Sequence, residues 1–198
     1  MAKRTPEPMC QVCASAPIDI HYGDAALCDR CFDARLAEEK GYPRLPDPPP
    51  PATFDGADGR RHRFRFRVWR TPGGVLAEAI EQGVPHGDGF YVKEHGSHDV
   101  DPDRLVSRLT VKLLKRLAST QLERSPSGWM VMAGDSVTGR FEWNERDGPY
   151  DVVIDGKAMT WEEFGHVMEP FEGWEFELRI VDTDVVEDGP DPDLIWDH

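Results

Sequence analysis

The chain has 198 residues, with 23 Lys plus Arg against 37 Asp plus Glu and a formal charge of −14. That length accommodates one domain of ordinary size and a small additional module. The acid excess argues against a generic nucleic-acid binder, because counterion release requires a basic surface, and no apolar run reaches the length of a transmembrane helix.

The first segment, Met1-Ala-Lys-Arg-Thr-Pro6, lacks the apolar run of a signal peptide, so a cytoplasmic location is expected. Cys10-x2-Cys13 follows, and after fourteen residues Cys28-x2-Cys31 completes a set of four, the only cysteines in the chain. Each pair turns two thiolates toward one point, and two such knuckles at this separation predict a tetrahedral structural zinc site with ligands Cys10, Cys13, Cys28 and Cys31. The alternatives are two disulfides, which require an oxidising compartment, or four free thiols in a flexible tail. Between the knuckles, residues 18–27 read as a short hairpin turning at Gly23-Asp24. Asp29 to Lys40 reads as a helix with Phe32, Leu36 and Ala37 on one face.

Knuckle, hairpin, then a second knuckle opening a helix resembles a treble-clef zinc finger. Leu27-Cys-Asp-Arg-Cys-Phe-Asp33 is similar to the second half of the zinc-binding domain at the N-terminus of the ClpX unfoldase. The resemblance spans residues 8–40 and implies a fold and four ligands without a partner.

The organisation expected is a zinc module over 1–40, a proline-rich linker over 41–59, an α+β body over 60–183 and an acidic tail over 184–198. Six prolines fall between Pro43 and Pro51, and such a run favours extended polyproline II geometry that spaces the modules. Arg61 to Arg70 alternates, with Phe64, Phe66 and Val68 on one face and Arg61, Arg63, Arg65 and Arg67 on the other. Residues 72–82 suggest a short helix ended by Gly83, and 90–95 a strand. Asp101-Pro102 is an N-cap followed by proline at the first helical position, opening a helix expected to run to about Arg124, with Val106, Leu109, Leu113 and Leu117 along its apolar arc. Residues 128–133 and 138–143 are expected to form a hairpin, and 150–154 another strand. Thr160-Trp-Glu-Glu163 is a capping box opening a helix that ends near Glu169-Pro170. Residues 174–182 alternate Trp174, Phe176, Leu178 and Ile180 against Glu175, Glu177 and Arg179, the pattern of a strand. Together these elements predict an antiparallel-rich sheet with about three helices on one face. Ile154 to Phe164 and Glu172 to Ile180 resemble stretches of uncharacterised bacterial protein families, which implies a bacterial cytoplasmic origin and no assigned chemistry.

Charge is unevenly divided. Residues 60–124 carry 13 Lys/Arg against 8 Asp/Glu, a net of +5, whereas residues 125–198 carry 4 against 19, a net of −15. On the long helix Arg104, Arg108, Lys112, Lys115 and Arg116 share a face, which together with the strand arginines suggests a basic platform for phosphates or an acidic peptide. Glu175 and Glu177 offer a ladder able to neutralise those arginines if the two strands are neighbours. His95-x2-His98-Asp99 has metal-ligating residue types without a third partner and reads as a solvated loop. The serines lack a nucleophile-elbow context, Thr71-Pro-Gly-Gly74 and Gly87-Asp-Gly89 lack the phosphate-loop pattern, and Trp129, Trp143, Trp161 and Trp174 are assigned to the core. The functional expectation is a zinc-stabilised adaptor or regulatory protein that binds another protein and no membrane. Nucleic-acid binding through the basic face, or an enzyme whose site lies in the body, are the alternatives.

Overall fold

A computed structural model describes residues 8–71, 73–85, 87–143 and 150–181. Over these described residues the chain is α+β, with eleven strands in four antiparallel sheets and three α-helices. Strands β1 (Ile20–Tyr22) and β2 (Ala25–Leu27) form the expected hairpin about Gly23-Asp24. Helix α1 (Asp29–Lys40) begins at the second knuckle, buries Phe32, Leu36 and Ala37, and stops at Gly41, whose φ of 72° is a left-handed C-terminal cap.

The stretch read as a spacer contains a strand. β3 (Ala52–Asp55) pairs with β4 (Arg61–Thr71), Ala52 lying opposite Phe64. As an edge strand it tolerates the prolines that precede it, because one side of its backbone needs no partner.

The helix expected over 72–82 does not form over 73–82, and residue 72 lies outside the described residues. Gly74–Glu81 is strand β5, held between β4 and β6 (Tyr91–Gly96) in a sheet of order β3-β4-β5-β6. Leu, Ala and Glu favour helix locally, yet Val75, Ala77 and Ala79 are all fully buried on one face of this central strand, and tertiary burial overrides propensity. Gly74 is required by space: a Cβ there would lie 2.1 Å from the Gly96 carbonyl oxygen.

Helix α2 (Pro102–Leu117) starts as its cap predicts, the Asp101 side chain accepting from the Asp103 N–H at 3.0 Å. Leu105, Leu109, Leu113 and Leu117 pack on Phe64, Phe66, Val75, Ala77, Ala79 and Val92. Leu105, rather than Val106, begins the buried stripe. Each leucine buried there contributes about 1.5–3 kcal/mol. The helix ends at Leu117 instead of near Arg124, and Leu122–Arg124 forms β7, paired with β8 (Met130–Met132).

That pairing replaces the hairpin expected between 128–133 and 138–143. β9 (Gly139–Trp143) pairs with β10 (Tyr150–Ile154), which pairs in turn with β11 (Lys157–Met159) through the two-residue turn Asp155-Gly156. Both turn residues have positive φ, 51° and 70°, as a type I′ hairpin demands. Helix α3 (Trp161–Met168) carries the predicted capping box in both directions and closes a second core of Leu122, Met132, Val152, Ile154, Met159 and Val167.

Residues 174–181 form no strand and no neighbour of β4, so Glu175 and Glu177 do not neutralise the strand arginines. Asp182 and the tail lie outside the described residues. The tryptophans assigned to the core are on the surface instead: Trp129, Trp143, Trp161 and Trp174 are 65%, 57%, 52% and 65% exposed.

The two cores meet where the β10–β11 turn touches the loop before β6. Gly89 N–H donates to the Gly156 carbonyl at 2.7 Å, Ala158 N–H to Asp88 at 2.8 Å, and Arg140 to the carbonyls of Gly89 and Gly87. A cleft of about 260 Å³ opens beside this junction, lined among others by Asp58, Phe90, Leu117, Leu122 and Asp155.

Candidate metal centre

The sulfur atoms of Cys10, Cys13, Cys28 and Cys31 all lie within 4.8 Å of one another, and Cys13 Sγ is 3.7 Å from Cys28 Sγ. Four sulfurs placed about 2.3 Å from a central ion at tetrahedral angles stand about 3.8 Å apart, so the spacing suits a bound metal. It exceeds the roughly 2.05 Å of a disulfide bond.

Local backbone builds the cluster. In the first knuckle Ala14 adopts φ 52° and donates its N–H to the Cys10 carbonyl at 2.9 Å, folding the chain so that Cys13 returns toward Cys10. Gln11 exchanges two hydrogen bonds with Ala26, its N–H donating to the Ala26 carbonyl at 3.0 Å and its Oε1 accepting from the Ala26 N–H at 2.9 Å, which ties the knuckle to β2. Cys28 is the N-cap of α1 and Cys31 sits in its first turn. Cys10 and Cys28 are buried, whereas Cys13 is exposed.

The thiol environments differ. Hydrogen bonds from the Ser15 hydroxyl and N–H hold the Cys13 thiol down at about 6, and the Cys13 backbone N–H lowers Cys10. Burial pushes Cys28 up and Cys31 up to about 12. Thiolates bind the ion, so these environments ease deprotonation at Cys10 and Cys13 and oppose it at Cys28 and Cys31, and metal entry releases protons. Four protein ligands leave no open position, which suits a supporting rather than a catalytic ion.

The same helix that carries Cys31 is fastened to the body. Arg70, fully buried, donates from Nε to Asp33 Oδ1 at 3.0 Å, from one terminal nitrogen to the Pro43 carbonyl at 2.7 Å and from the other to the His98 carbonyl at 2.9 Å. Tyr42 stacks on His98 and lies against the Arg70 guanidinium. Asp33 also accepts from the Leu45 N–H at 3.2 Å. One turn earlier, Asp29 pairs with Arg67, which also approaches Glu78 at 3.6 Å.

Sequence reasoning missed Arg70, Asp29 and Asp33 as a group, although a signal existed. On β4 the inward positions are 62, 64, 66, 68 and 70, so Arg70 and His62 are polar residues where the alternation calls for apolar ones. His62, also buried, bridges Glu81 (Nδ1 to Oε1, 2.7 Å) and Asp58 (Nε2 to Oδ1, 3.1 Å).

The basic platform does not assemble as one surface. Phe64 and Phe66 face α2, so Arg61, Arg63, Arg65 and Arg67 point to the opposite side of the sheet. Arg61 pairs with Asp55 at 3.7 Å, Arg67 with Asp29, and Arg108 and Lys112 with Glu94 at 3.2 and 3.3 Å. Lys115 and Arg116 also have interactions, while Arg63, Arg65 and Arg104 have no ion-pair partner among the described residues. His95 lies in β6 rather than in a solvated loop, and His98 is engaged with Tyr42 and Arg70, so neither joins a metal cluster among the described residues.

Two family models match the chain. One, described as a domain of unknown function (DUF7686), covers residues 46–118, and the other, also a domain of unknown function (DUF7713), covers residues 121–184. The matches meet at 119–120, where the first core gives way to the second, within the stretch read from sequence as one body. Neither reaches the cysteines, so the treble-clef resemblance rests on ligand spacing and on the knuckle, hairpin and helix order. No curated protein and no solved structure matches the chain. No helix among the described residues is long and apolar enough to cross a membrane.

Proposed function

We propose that this chain is a zinc-stabilised cytoplasmic adaptor that binds another protein through an aromatic face on its acidic C-terminal half. Zinc suits four thiolates at tetrahedral separations better than the harder cations that prefer oxygen. The observation that carries the adaptor reading is the row Tyr150, Trp143, Phe141 and Trp161. Trp143 and Tyr150 are opposed across β9 and β10 with ring centroids 5.4 Å apart, Phe141 lies two residues along the same face, and Trp161 stacks on it at 5.8 Å. All four are about half exposed, from 47% to 57%. Tyrosine and tryptophan at a surface supply large contact area at small entropic cost, and clustered exposure of this kind marks interaction sites.

Charge narrows the partner. Residues 125–198 carry a net of −15, so the face suits a basic segment of a protein that brings aliphatic side chains to the rings. A library of synthetic 12-residue peptides panned on the full-length, zinc-loaded protein tests this. Selection of Lys/Arg-rich peptides whose binding is lost in Trp161→Ser supports the reading. Selection without charge bias, or retention on DNA or RNA with a steep salt slope, overturns it in favour of another surface.

A further inference from the structure

Residues 174–181 have the composition of a strand and belong to no sheet among the described residues. Trp174, Phe176, Leu178 and Ile180 alternate with Glu175, Glu177 and Arg179, yet the four apolar side chains are 65%, 83%, 70% and 66% exposed. The Trp174 N–H donates to the Phe171 carbonyl at 2.9 Å, and beyond it no ladder bond to the segment exists among the described residues. Four large apolar groups at a period of two are what a strand presents to a sheet face. Among the described residues the segment joins none of the four sheets, and β4 is already paired with β3 over 61–64 and with β5 over 64–71.

The segment is complementary to itself. Antiparallel pairing of two copies about Leu178 sets Phe176 against Ile180 and Glu177 against Arg179, twice over by symmetry, with Leu178 against Leu178 at the centre. No like charges then stand opposite one another, and all the central apolar side chains fall on one face. We propose that 174–181 is an isologous dimerisation strand that pairs antiparallel with the same segment of a second copy of the chain, in the register centred on Leu178. The pairing satisfies the exposed backbone groups of both copies by strand addition. Two strands alone are marginal, and the apolar face gains support at its start, where Trp174 packs edge-on against Phe171 at 5.4 Å, next to the second core. This goes beyond the adaptor reading, since it uses neither the aromatic row on β9 and β10 nor a foreign partner.

The test is the mass of the full-length, zinc-loaded protein in solution by light scattering, across a dilution series. Wild type is expected to be a dimer. Arg179→Glu places glutamates opposite one another at two symmetric sites, and with each pair contributing a modest cross-strand energy the swing should weaken dimerisation by about tenfold or more. The double variant Glu177→Arg/Arg179→Glu restores opposite charges and should restore the dimer. Leu178→Cys reports register, because directly opposed residues have Cα atoms about 4.5–5.5 Å apart, within disulfide reach, and mild oxidation should link two copies. These positions lie outside both cores, so every variant should keep a cooperative unfolding transition. A monomeric wild type overturns the proposal. So does a dimer indifferent to Arg179→Glu, or one that the charge swap fails to rescue.

Discussion

Asp33→Ala removes the carboxylate from the most enclosed ion pair described in the molecule. Arg70 is then left fully buried with two carbonyl partners, Pro43 and His98, and no counter-charge, while the Leu45 N–H loses its acceptor. An exposed ion pair is worth less than about 1 kcal/mol, but breaking a buried one from one side costs about 3–5 kcal/mol, because the stranded charge keeps its desolvation penalty. For a chain of this size each kcal/mol shifts the melting temperature by about 2–4 °C, so a fall of roughly 6–20 °C is expected. Urea unfolding of the reduced, zinc-loaded protein, followed by tryptophan fluorescence, measures the loss. The companion Asp33→Leu/Arg70→Met removes both charges and fills the space with apolar groups, and it should recover much of the stability. A loss below about 1 kcal/mol in Asp33→Ala, or a double variant worse than the single, would refute the reasoning that this pair joins the cysteine module to the body.

The metal prediction follows from the same contacts. Protein purified without chelator should hold about one zinc per chain. Cys28→Ser should not only unfold the cysteine module but also lower the stability of the sheet, since α1 supplies Asp29 and Asp33 to Arg67 and Arg70; an unchanged second unfolding transition would show the modules to be independent. His62 gives a pH prediction. Burial opposes its charge, but the carboxylates of Asp58 and Glu81 outweigh burial and raise it above its ordinary value of 6.5. A raised folded value means stability fully present below the unfolded value and lost as pH rises through the folded one. The urea midpoint of wild type relative to His62→Gln should therefore shrink as pH rises above about 6.5 and through the raised folded value, and a pH-independent difference would count against an imidazolium bridge.

Elements whose evidence is local were legible. The cysteine spacing, the hairpin at Gly23-Asp24, α1, the alternation of β4, the Asp101 cap and the Thr160 capping box each need only a few adjacent residues. Pairing was not legible, because strand partners are set by the packing of distant faces. Residues 72–82 suggest a short helix ended by Gly83, and only the position of β5 between β4 and β6 shows why 74–81 lie in a sheet. The helix expected to run to about Arg124 ends at Leu117, because nothing local to 118–124 shows that Leu122–Arg124 pairs with β8. The Asp155-Gly156 turn carried a hairpin signal, which would have identified β11. The cysteines were the one part of the site that could be named in advance. Their attachment depends on Arg70, whose role is visible only once Asp33, Pro43 and His98 have been brought around it.

The placement of charge also bears on what the protein can recognise. A phosphate backbone requires several cations on one continuous surface, since affinity grows with the number of counterions released. Here the arginines of β4 and the basic residues of α2 lie on opposite sides of one sheet, so they cannot contact the same groove. Carboxylates within the fold already engage Arg61, Arg67, Arg108 and Lys112. The net charge of −15 over residues 125–198 opposes an incoming polyanion, within a screening length of about 8 Å at physiological salt. Under the adaptor reading proposed above, that charge favours a basic polypeptide at the rings of Phe141 and Trp161, which lie in that same acidic half. The basic residues thus hold the fold's own elements together, Arg67 and Arg70 tying β4 to α1 and Arg108 and Lys112 tying α2 to β6.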